Sequence, residues 1–211
     1  MAEPRVWNMR NRKKKFLNVL SIFLLAGGLY FIVSGAREYF GSKFGQTAIE
    51  HQWEETAKKP LPPERPPELG DAVAELTIPR LDTQLFVVEG TTHSDLREGP
   101  GHMQGTAMPG APGNCVIAGH RDTHFRVLKD IQKGDQIVLQ TRYGKFYYRV
   151  TQLSIVSPRN TSSLQPSTDK ELHLITCYPF YYVGPAPKRF VVQAEETKEA
   201  LYQTEVQRPN S

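Results

Sequence analysis

A chain of 211 residues holds one ordinary domain with appendages and leaves no room for a second full core. Its 39% hydrophobic and 23% charged residues exclude a disordered polymer. The net charge of +4 does not signal nucleic-acid binding: Arg5, Arg10, Arg12, Lys13, Lys14 and Lys15 against Glu3 put +5 in residues 1–15, which leaves −1 for the rest. The folded part therefore carries no basic stripe, and nucleic acid is excluded as a partner.

The basic run at 1–15 precedes Phe16–Val33, eighteen residues without a charge in which only Asn18 and Ser21 are strongly polar. At 1.5 Å per residue this run reaches roughly 27 Å, enough for the hydrocarbon core of a bilayer. Residues 16–36 thus read as a transmembrane helix. The cluster Arg12–Lys15 places the N-terminus in the cytoplasm and everything after Arg37 outside. A cleaved signal peptide is the rival reading, because Ser34-Gly35-Ala36 has small residues at the right spacing, but the apolar run exceeds the usual core of such peptides.

Residues 37–70 form a spacer: 37–59 are polar with helical propensity, and Pro60, Pro62, Pro63, Pro66 and Pro67 then enforce an extended chain. The folded domain is expected over 71–195, followed by a polar tail at 196–211. Its apolar runs are short, rich in Val, Ile, Phe and Tyr, and punctuated by Gly, Pro, Asn and Asp, which is the pattern of strands and turns. Strands are expected at 75–79, 84–88, 114–118, 135–140, 145–156, 171–176 and 189–194. Gly144 supplies a hairpin turn, and Thr123–Asp130 a short helix. Seven or eight strands in this length make an all-β domain, a closed barrel or a sandwich.

Three residues with useful chemistry stand at strand ends. His120 closes Gly113–His120, Cys177 closes Glu171–Cys177, and Arg189 opens the last strand. A thiol near pKa 8.5 is mostly protonated at neutral pH, so a neighbouring imidazole raises its reactivity and later protonates a leaving amine. A guanidinium stabilises the oxyanion that forms when a carbonyl is attacked, and it never loses its charge.

The wording of these segments carries a resemblance. Leu174-Ile175-Thr176-Cys177 resembles the TLxTC-type motif of sortases, with Leu174 where Thr is usual. Leu76-Thr77-Ile78-Pro79, Gly119-His120 and Lys188-Arg189-Phe190 extend the likeness over 75–194, and the run from Cys177 to Arg189 is most similar to class D. The resemblance implies a closed sortase-type β-barrel of about eight strands with short helices. It also implies a cysteine transpeptidase; no cofactor is expected, and the sequence leaves calcium dependence open. Such an enzyme cuts an LPxTG-like sorting signal of secreted proteins, holds the acyl part as a thioester on Cys177, and passes it to an amine acceptor, a cell-wall precursor or a pilin. His120 is then the acid/base partner and Arg189 the oxyanion-side cation; substrate-binding residues are not assigned.

Other readings compete at several positions. Cys115, between Asn114 and Val116-Ile117, reads as a small hydrophobe in a buried strand, and a Cys115–Cys177 disulfide is left open by the sequence in an oxidising compartment. His124 lies four residues after His120, but no HExxH glutamate or further ligand cluster accompanies the pair, so no metal is expected. His93, His102 and His173 read as loop or packed strand residues, and Asp122 as a turn or cap residue. A membrane-tethered binding module with a structural Cys177 is the alternative to an enzyme.

Overall fold

The computed structural model describes residues 5–57, 66–165, 167–182 and 184–198. The chain divides into two compact units, residues 1–40 and 41–211. Helix α1 runs from Arg5 to Ala57, and its stretch Asn18–Ala36 has a mean hydropathy of 2.1 with none of it buried in the protein. This is one helix long and apolar enough to cross a membrane. The prolines at 60–63, and the tail beyond Lys198, lie outside the described residues.

In the second unit, eight strands close a barrel in the order β1-β2-β3-β4-β7-β8-β6-β5. The strands are β1 (Ala72–Ile78), β2 (Thr83–Glu89), β3 (Gly101–His102), β4 (Gly113–Gly119), β5 (Gln136–Thr141), β6 (Gly144–Val156), β7 (Lys170–Tyr178) and β8 (Lys188–Thr197). The expected strands all appear, some extended by one to three residues. Sequence patterning missed β3, which is only two residues long, pairs in parallel with β2 and runs antiparallel to β4. It also missed α2 (His93–Glu98), whose start is fixed by reciprocal bonds between Thr92 and Asp95, a capping box. The helix expected near 123–130 is 3₁₀ over His124–Asp130.

Strand alternation sorts the residues. Leu76, Val87, Cys115, Ile117, Ile137, Leu139, Leu172, Leu174, Val192 and Ala194 point inward and form one buried core with Phe125, Leu128 and Tyr148. A second cluster forms outside the barrel wall, where Ile49 and Trp53 of α1 cover Ala72, Phe86 and Val88. Gln46 binds the same edge through its side-chain amide, accepting from Phe86 N at 2.8 Å and donating to Phe86 O at 3.1 Å and Glu98 O at 2.9 Å. Gly45 allows this approach: a Cβ there would lie 2.7 Å from the Glu98 Cα. The last turns of the polar part of α1 are therefore packed on the barrel rather than standing clear of it.

Candidate active site

The site is built by three neighbouring strands, β4, β7 and β8. β4 and β7 run parallel, ending with Gly119 beside Thr176. β7 and β8 run antiparallel, with Cys177 opposite Arg189. The residue after Gly119 is His120 and the residue after Thr176 is Cys177, so one end of the barrel receives the imidazole, the thiol and the guanidinium. Since Leu172, Leu174 and buried Thr176 face inward on β7, Cys177 faces outward, and Arg189 does the same beside inward-packed Phe190. Directly opposed residues on one face of an antiparallel pair have Cβ atoms about 5 Å apart.

Local bonds brace this end. The Thr176 hydroxyl donates to Gly119 O at 2.7 Å, tying β7 to β4 one residue before both Cys177 and His120. Gly119 must lack a side chain, because a Cβ there would meet the Phe125 ring at 2.6 Å. Pro179 has no N–H with which to continue the ladder, and β7 ends at Tyr178. Beyond it Tyr178, Phe180 and Phe190 pack together, with ring centroids 5.4–6.4 Å apart.

The thiol makes no hydrogen bond to His120 or Arg189. Arg189 Nη1 instead donates to Lys188 O at 3.0 Å and Ala186 O at 3.3 Å, on its own loop. Cys177 is half-buried and free.

Cys115 is also free, but only 1% exposed. Its ladder partner is Leu172, five residues before Cys177, or about 16 Å along the strand. A disulfide needs Cα atoms within about 7 Å, so the two cysteines are not bridged. Burial, reinforced by the Glu89 carboxylate, pushes the Cys115 thiol well above its ordinary value and keeps it protonated. It packs as a hydrophobe.

The remaining histidines separate by environment. His102 is buried with Glu89, Nδ1 to Oε2 at 2.7 Å, and His173 pairs with Glu171 at 2.9 Å. His93 on α2 places its ring edge-on to His120 with centroids 6.0 Å apart, a contact that sequence reasoning passed over. The capping box at Thr92 was the available signal, since it starts a helix there. Among the described residues no group of three metal-ligating side chains assembles.

Comparison with known proteins gives a consistent picture. Residues 76–197 match the Sortase domain family. Sortase D of Bacillus subtilis is 44% identical over 127 residues, covering 60% of this chain and 64% of that protein. Sortase SrtE1 of Streptomyces coelicolor is 35% identical over 131 residues, covering 53% of this chain and 37% of that one. The chain thus spans just under two thirds of Sortase D and a smaller share of SrtE1. Among solved structures, a Clostridium perfringens Sortase D5 transpeptidase superimposes with a TM-score of 0.61 at 28% identity, covering 74% of this chain and 98% of that one. This chain belongs to the sortase family, and class D members are among the relatives and structures it resembles.

Proposed function

We propose that this protein is a cysteine transpeptidase that acts on LPxTG-like sorting signals of secreted proteins, held at the outer face of a membrane by the Asn18–Ala36 helix. The observation that carries this reading is the ladder pairing of Cys177 with Arg189, with His120 following the strand next to it. His120 takes the thiol proton as Cys177 Sγ attacks the carbonyl carbon of the scissile peptide bond. The C–N bond then breaks, His120 gives its proton to the leaving amine, and a thioester remains on Sγ. Arg189 turns from its loop carbonyls toward the developing oxyanion, an interaction of about 3 kcal/mol. An acceptor amine attacks the thioester carbonyl and passes a proton to His120, the C–S bond breaks, and His120 returns that proton to Sγ to restore the thiol.

A tether at the membrane surface favours an amine acceptor on that surface, a cell-wall precursor or a pilin subunit. The basic segment before the helix favours a cytoplasmic N-terminus. The test is to incubate the full chain in detergent with a library of sorting-signal peptides. A hydroxylamine-sensitive adduct that disappears in Cys177→Ala supports the reading; no adduct with any peptide of the library overturns it.

A further inference from the structure

Arg121, the residue directly after His120, reaches 61 positions along the chain to the loop between β7 and β8. Its Nη2 donates to Tyr182 O at 2.7 Å and to Gly184 O at 3.1 Å. The guanidinium carbon lies 5.7 Å from the centroid of the Tyr182 ring. The other nitrogen, Nη1, is buried with no hydrogen-bond partner among the described residues. One nitrogen of the guanidinium is thus buried without a bond while its neighbour holds the loop, so the desolvation cost of the first is offset by the two carbonyl bonds of the second.

A second cation acts on the next ring. Lys129 Nζ donates to the Tyr181 hydroxyl at 3.2 Å and lies 5.9 Å from that ring's centroid. Tyr181 is 75% exposed and Tyr182 46%, so burial in a core does not hold these rings. Cations on the chain that leaves His120 face them instead: Arg121 on Tyr182, and Lys129 with a smaller contribution from Arg126 on Tyr181.

We propose that Arg121 is a positioning residue that latches the β7–β8 loop to the segment after His120 and so fixes the width of the cleft between Cys177 and His120. The inference rests on the reading of these two residues as nucleophile and proton partner. The loop continues from the strand of Cys177, and Arg121 continues from His120; a bond between them sets how far apart the two can move. Arginine suits the task because one planar group donates to two carbonyls while covering an aromatic face. Lys129 adds a weaker grip, since its contact with Tyr181 is open to solvent.

The test uses the full chain in detergent and compares wild type with Arg121→Ala and Lys129→Ala. Three quantities are read: amide exchange over Tyr181–Ala186, the rate at which Cys177 reacts with a bulky maleimide relative to a small methanethiosulfonate, and the KM and kcat for a sorting-signal peptide. Arg121→Ala should speed exchange in the loop about tenfold, as expected for losing a pair of hydrogen bonds at a local opening. It should favour the bulky reagent several-fold and raise KM more than it lowers kcat. Lys129→Ala should shift the same readouts in the same direction by less. Unchanged exchange and labelling in Arg121→Ala overturn the latch, as does faster exchange throughout the barrel, which would make Arg121 a fold residue. A fall in kcat at constant KM overturns it too, because Arg121 would then act on the reacting groups. Labelling and exchange need no peptide, so failure of the latch is told apart from failure of the transpeptidase reading, which shows instead as no thioester on wild-type Cys177.

Discussion

Cys177 and Arg189 occupy directly opposed positions of the β7–β8 ladder, yet the Arg189 guanidinium is held at 3.0 Å by the carbonyl of Lys188. The ladder sets their proximity, while the loop sets the resting direction of the charge. For the proposed role the guanidinium exchanges carbonyl acceptors for an oxyanion, a stronger acceptor. Arg189→Ala should therefore lower the rate of thioester formation about 10²- to 10³-fold. Arg189→Lys should lose most of the same rate, since an ammonium cannot present the planar fork. Single-turnover kinetics check both, and wild-type rates in Arg189→Ala would remove it from the mechanism.

Thr176 is buried, and its hydroxyl bond to Gly119 O joins the two strands that deliver Cys177 and His120. Thr176→Val keeps the shape and deletes the donor. The expected loss is about 1–3 kcal/mol of stability, seen as a lower denaturation midpoint, together with a fall in kcat. Thr176→Ser should restore both in large part.

Cys115 and Tyr148 make the barrel sensitive to alkali. Burial raises both groups above their ordinary values of about 8.5 and 10. Between the unfolded and folded values the native state holds a proton that the unfolded chain has released, so stability falls as pH rises. The contribution is fully present below about pH 8.5, and above it is lost at up to about 1.4 kcal/mol per pH unit for each group. Denaturation midpoints at pH 7 and 10.5 check this, and Cys115→Ala should show a shallower decline. In the native state iodoacetamide should modify Cys177 and spare Cys115 until the chain unfolds.

Trp53 is 6% exposed against Ala72, Phe86 and Val88. Trp53→Ala should destabilise the unit of residues 41–211 by about 3 kcal/mol, read by urea denaturation. A barrel beginning at Asp71 should show a comparable deficit, because it leaves Phe86 and Val88 uncovered.

The strands were legible because period-two alternation of Val, Ile, Leu and Tyr marks a half-buried sheet, as in Glu171–Thr176. β3 was not, because the two residues Gly101 and His102 have no pattern and owe their conformation to the strands on either side. Gln46, Ile49 and Trp53 follow an i, i+3, i+7 spacing that marks one helical face, but polar surroundings and the prolines after them hid it as spacer. At the site, Cys177, His120 and Arg189 carried recognisable chemistry at strand ends. Arg121 did not, because its partners are backbone carbonyls 61 and 63 positions away, and no side-chain type announces such a contact.

The central claim, that Cys177 is the nucleophile, is tested most directly by intact-mass analysis after exposure to a cleavable sorting-signal peptide. Wild type and Cys115→Ala should each gain the mass of one acyl fragment, mapped to Cys177 and released by hydroxylamine, while Cys177→Ala gains none. An adduct that persists in Cys177→Ala, or that maps to Cys115, would contradict the account.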